Sequence, residues 1–129
     1  MKAERQAARG SGRGQGRRRQ LRRFLQPCLL LLIQRGASHG YQLQADLEAF
    51  GFNPERLDVS MVYRALREME AEGWLESHWD EASEGPRRRV YVVTHAGQVQ
   101  LTWFIDELRR TRRNLDCVIA AYEAEDMDG

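Results

Sequence analysis

The chain has 129 residues, 42% of them hydrophobic, which suits one domain with a modest core and an appendage. Its net charge of +1 averages two opposites: residues 1–23 hold nine Lys/Arg and one acidic residue (+8), and residues 24–129 hold the other eleven basic and eighteen acidic residues (−7). Two distant cysteines and three histidines (His39, His78, His95) without ligand spacing argue against a disulfide scaffold and a metal site. With no nucleophile–base pairing and no phosphate-cradling glycine loop, they leave no catalytic residues and no expected cofactor.

In chain order, residues 1–20 are Arg, Gly, Gln, Ser and Ala. Such a segment buries too little surface to offset its ordering entropy, so a disordered basic arm is expected. Its arginines, including Arg17, Arg18 and Arg19, either track a polyanion such as double-stranded DNA or form a solubilising tail. Arg22-Arg23 before the apolar run Cys28–Ile33 resembles a twin-arginine signal, but the run is short and no cleavage site follows. No stretch is long enough to span a membrane, so a cytoplasmic, nucleoid-associated protein is expected.

A first helix begins near residues 21–26, with Pro27 in its first turn, and ends at Gly36. Ser38 reads as the cap of a second helix, His39–Phe50, with Leu43, Leu47 and Phe50 inward. A third helix runs from Asp58 to Gly73, capped by Asp58 or Ser60, with Val59, Val62, Leu66 and Met69 as its buried stripe. Ser60, Met61, Arg64 and Arg67 fall outside that stripe. A helix entering the major groove presents such residues to base edges, where arginine pairs with guanine through two hydrogen bonds. The plain alternative is surface pairing of Arg64 and Arg67 with neighbouring glutamates.

After Gly73 the period changes to two. Leu75–Trp79 and Arg87–Val93 form a hairpin around a turn-rich loop. Arg87, Arg88 and Arg89 cannot all face one side of a strand, yet at a wing either face reaches phosphate or a minor groove. Thr94 caps a last helix to about Tyr122, before an acidic tail at 123–129 expected to fray. Leu101, Ile105, Leu108, Arg112, Leu115, Ile119 and Tyr122 recur at four- and three-residue spacings, a coiled-coil seam that wants a facing helix. Apart from Arg112 these are the expected dimerisation residues. Both cysteines, Cys28 and Cys117, sit in apolar patterns and are expected to be buried.

The fold class is therefore mostly α: a winged helix-turn-helix with a two-stranded wing and a long C-terminal dimerisation helix. The expected organisation is a basic arm at 1–20, a winged helix-turn-helix at 21–94, a dimerisation helix at 95–122 and an acidic tail at 123–129. The leading function is a DNA-binding regulator; the alternative is a winged-helix protein-interaction module without sequence-specific DNA binding.

Three motifs carry a resemblance: S-H-G-Y-Q-L at 38–43, V-Y-R-A-L-R-E-M-E-A-E-G-W-L at 62–75 and G-P-R-R-R-V-Y-V-V-T-H-A-G at 85–97. Together they resemble the PadR-type transcriptional regulators, and finer details are similar to the branch of poly-β-hydroxybutyrate-responsive repressors. The resemblance implies a homodimer joined by the last helix, often with the first. It also implies repression at a palindromic operator, with release by a small-molecule or polymer effector. It implies that Tyr41 supports the helix-turn-helix packing, that Tyr63 and Arg64 form the Tyr-Arg of the recognition helix, and that Arg87–Arg89 are the basic start of the second wing strand. Two departures stand out. Ser60-Met61-Val62-Tyr63 replaces the frequent Gly-Thr-Leu-Tyr, and Leu108 takes the place of the drug-stacking tryptophan of multidrug-sensing members.

Overall fold

The computed structural model describes residues 24–36, 39–52, 57–81 and 85–128. The order is α1 (residues 24–34), α2 (Gly40–Asp46) with a 3-10 turn (Leu47–Phe50), α3 (Val59–Ala71), β1 (Leu75–Asp80), β2 (Arg88–Val93) and α4 (His95–Asp128). This is a mostly helical fold with one antiparallel hairpin, the winged helix-turn-helix architecture. The basic arm with Arg17, Arg18 and Arg19, and the expected cap Ser38, lie outside the described residues.

Leu25, Leu29 and Leu30 of α1 are fully buried, as the all-round apolar run requires. They join Leu43, Leu47, Leu57, Val62, Leu66, Met69, Leu75, Tyr91 and Leu101 in one cluster, so every described element contributes to a single core. Cys28 belongs to this core, and burial pushes its thiol pKa up to about 12. Cys117, by contrast, is exposed on α4, against the expectation of a buried thiol. Its apolar neighbours belong to a helix segment that no element covers among the described residues.

Three local differences from the sequence reading have physical causes. The N-cap of α2 is His39, without a side-chain cap bond, and the helix tightens to a 3-10 turn before Gly51, whose φ of 89° ends it. In α3 the inward face is Val62, Ala65, Leu66 and Met69, while Val59, in the first turn, is 44% exposed. That turn projects beyond the core, and Met61 instead packs partly against it. Finally, α4 continues as helix through Asp128, past the acidic residues that were expected to fray.

Asp58 caps α3 by accepting a hydrogen bond from the Ser60 backbone N–H at 3.0 Å. At the other end Gly73, with φ of 83°, lets the Trp74 N–H reach the Met69 carbonyl at 2.9 Å. This is a glycine stop that satisfies carbonyls the helix leaves free. It also turns the chain directly into the wing. Thr94 fixes the other junction: its hydroxyl donates to the Gly73 carbonyl and accepts from the Gly97 N–H at 3.0 Å. Gly97 has no substitute here, because a Cβ would lie 2.1 Å from the Trp74 carbonyl oxygen. The start of α4 is thereby pressed onto the base of the wing, with Phe104 edge-on to Trp74 at 5.7 Å.

Candidate nucleic-acid interface

Helix α3 presents Ser60, Tyr63, Arg64 and Arg67 on its exposed side, at three- and four-residue spacings that share one face. Met61, expected beside them, is half-buried and has less side chain to offer a partner. Among the described residues neither Arg64 nor Arg67 forms an ion pair, so surface pairing does not occupy their guanidinium groups. Two of these residues, Tyr63 and Arg67, open onto a cleft of about 620 Å³ between α3, the start of α2 and the wing. The other wall holds Arg87, Arg88 and Arg89 together with Trp79 and Tyr91, and Glu70 is the one carboxylate on the lining among the described residues.

The three wing arginines do reach one cleft, although alternation separates Arg88 from its neighbours on the strand. Their long side chains reach it by different routes. Arg88 lies over the Tyr41 ring, 4.9 Å from its centroid, and donates to the Tyr41 hydroxyl at 3.0 Å. Arg89 lies over Trp79 at 5.2 Å, donates to the Ser77 hydroxyl at 2.8 Å and sits 3.8 Å from Glu70. Ser77 in turn donates to Glu70, so a short relay joins the wing to α3. Arg87 has no such partner among the described residues.

A second tie runs from the other end of the hairpin. His39 Nε2 lies 3.3 Å from Asp80 Oδ2, and His39 also forms an isolated antiparallel bridge with Val90. The start of α2 is thus stitched to the wing. Gly40, next to it, is the close-approach point for α3: a Cβ there would fall 2.7 Å from the Tyr63 hydroxyl. Tyr91 anchors the floor of the cleft; burial raises its phenol pKa, Arg89 opposes that shift, and Glu70 adds to it.

Sequence reasoning missed Trp79, Glu70, Ser77 and His39 as parts of this surface. The signal for Trp79 was available once the hairpin register is fixed, because Trp79 stands directly opposite Arg89 and Ser77 opposite Tyr91. Nothing in a single sequence brings His39 to Asp80, 41 residues away.

The expected seam on α4 divides in two. Leu101 is in the domain's own core, 7% exposed, and Ile105 packs against it. Leu108 is half-buried, and beyond it Leu115, Ile119 and Tyr122 are 57%, 52% and 68% exposed. Every residue from Arg109 to Glu125 is exposed. At 1.5 Å per residue the helix projects about 30 Å past Leu108.

A recognition helix and an arginine-bearing wing that open onto one surface define a winged helix-turn-helix DNA-binding protein. The profile of the PadR-like transcriptional regulator family matches residues 29–103. The chain belongs to that family. A PadR-like transcriptional regulator from Bacillus cereus is 26% identical, with a TM-score of 0.67, over 78% of this chain and 96% of that one. A protein from Thermoplasma acidophilum is likewise 26% identical, with a TM-score of 0.67, over 79% and 96% of the two chains. A PadR family regulator from Clostridium difficile shares the fold at 22% identity, with a TM-score of 0.63 over 74% and 98%. The Bacillus cereus and Clostridium difficile proteins are transcriptional regulators. No helix among the described residues is long and apolar enough to cross a membrane.

Proposed function

We propose that this regulator is a homodimeric repressor that reads a palindromic operator through α3 and the wing and leaves it when an effector binds. The observation that carries the reading is the shared surface: Tyr63 and Arg67 of α3 line one cleft with Arg87, Arg88 and Arg89 of the wing. Ser60 and Arg64 continue that face of α3, and Asp58 caps the helix behind them. In this reading Arg64 and Ser60 address base edges, with Met61 at their margin, while Tyr63, Arg67 and Arg87 meet backbone phosphate. Arg88 and Arg89 hold the wing to α2 and α3 and offer their remaining donors to phosphate. The basic arm, with Arg17, Arg18 and Arg19, adds sequence-independent affinity.

The uncovered seam of α4 supports the dimer. Leu115, Ile119 and Tyr122 form an apolar stripe that a second copy would cover, and two-fold symmetry matches an inverted repeat. The effector, a small molecule or a polymer, is part of the proposal inherited from the family's mode of action.

The test is a binding titration on the promoter DNA adjacent to the gene, at about 100 mM salt and above. A specific complex whose affinity falls steeply with salt is expected. Arg64→Ala should weaken that complex by about 1–3 kcal/mol while binding to unrelated DNA largely survives. A complex insensitive to salt, or no specific complex, would instead favour a protein-interaction module. Equal weakening on all sequences would make Arg64 a phosphate contact.

A further inference from the structure

We propose that the cleft between α3 and the wing binds a free phosphorylated, ring-bearing molecule of mononucleotide size, and that this ligand competes there with DNA backbone phosphate. The binding itself stands on the cleft's geometry; only the competition rests on the DNA-binding reading above.

Charge is the first argument. Residues 24–129 carry a net charge of −7, yet among the described residues this cleft gathers four guanidinium groups against the single carboxylate of Glu70. That carboxylate is already engaged by the Ser77 hydroxyl and faces Arg89. An anion entering the cleft therefore meets a strongly positive wall on an otherwise acidic body.

Pre-organisation is the second. Arg88 and Arg89 are laid over the rings of Tyr41 and Trp79, at 4.9 and 5.2 Å. One donor of each is already used, Arg88 by the Tyr41 hydroxyl and Arg89 by the Ser77 hydroxyl, which fixes the guanidinium plane and leaves the remaining N–H donors for a phosphate oxygen. Arg67 and Arg87 have no ion-pair partner among the described residues and are free to close on the same group.

Size and lining decide what else the ligand carries. About 620 Å³ lies in the range of small-molecule sites, roughly 300–1,000 Å³, and leaves most of the space empty around a bare phosphate. The remaining wall is aromatic: Tyr63, Tyr41 and Trp79 are exposed rings, the last two each already carrying one arginine, and Tyr91, 4% exposed, is the buried floor. Such rings take a planar group by stacking, at about 1–3 kcal/mol per base in nucleic-acid sites. A phosphate joined to a planar ring uses both halves of the cleft. A DNA strand offers the same chemistry as a phosphodiester, which is why occupancy by the free ligand excludes the backbone from the wing.

Calorimetric titration of the full chain with AMP, inorganic phosphate and adenosine tests this. AMP should bind saturably and at least about tenfold more tightly than either fragment. The double variant Arg67→Gln/Arg87→Gln removes two exposed, unpaired side chains and should weaken AMP by about tenfold or more, while Arg110→Gln on α4 should match the parent chain. Adding AMP to a DNA complex should release the DNA. AMP binding no tighter than phosphate, or untouched by the double variant, would overturn the proposal. Specific DNA binding without AMP binding would likewise overturn it, leaving the cleft as a seat for backbone phosphate alone. AMP binding without specific DNA binding would uphold the site and remove the operator reading.

Discussion

Gly40 is a small residue on which the reading head depends. It is buried at the start of α2, and the space its side chain would need is filled by the Tyr63 ring of α3. Tyr63 is a terminal ring that must move if a methyl group appears, and its movement shifts the exposed face of α3. Gly40→Ala should therefore cost about 1–3 kcal/mol of stability, read by denaturant unfolding, and weaken specific DNA binding beyond the loss of folded protein. An unchanged unfolding midpoint would mean that Tyr63 relaxes without consequence.

The two cysteines make an internal contrast at the same scale. Cys28 lies in the core and its thiol pKa is pushed from 9.0 to about 12 by desolvation, whereas Cys117 is exposed. In native protein a thiol-alkylating reagent should label Cys117 rapidly and Cys28 only on unfolding. The pH consequence has a definite sign. The core favours the protonated Cys28, so its contribution to stability is full below pH 9.0 and is lost as pH rises toward about 12. A Cys28→Ala variant should lack that part of the alkaline loss in a series of melting curves.

Among the elements, α3 and α4 differ in how legible they were. The helices of the core announce themselves by spacing, because burial in a single cluster selects Leu43, Leu47, Val62, Leu66 and Met69 directly. Capping by Thr94 was readable, and Asp58 was one of two candidates with Ser60 for α3, since short polar side chains before apolar periods often cap helices. The cleft was only half visible. Arg64, Arg67 and Arg87–Arg89 stood out by type, but their orientation depends on Tyr41, Trp79 and Glu70, which approach through tertiary packing. Likewise a stripe of period 3.5 does not say where a helix leaves its own domain. Leu101 satisfies it inside the core and Ile119 outside.

That division yields a test at the scale of the element. Leu115→Glu with Ile119→Glu alters only exposed positions, so the winged domain should keep its fold. If α4 pairs with a second copy, two charges in the seam should shift sedimentation from dimer to monomer and weaken operator binding. A monomeric parent chain, or a dimer indifferent to both charges, would relocate the interface.

For the molecule as a whole, charge is divided between a basic arm and an acidic body, and the body places one group of arginines where the reading helix meets the wing and another along α4. With a body of net charge −7, the proposed DNA binding relies on a small, well-placed positive surface, which a dimer would present twice. The fold belongs to the PadR-like regulators, and in the proposed dimer two α3 helices would read sequence together. Selection of bound fragments from a random DNA pool by the full chain reads out whether two helices act together. The account predicts enrichment of an inverted repeat whose half-sites are separated by about one helical turn, roughly 10 base pairs, or a multiple of it. A pool that stays random after repeated rounds, or one enriched for a single asymmetric site, would contradict it.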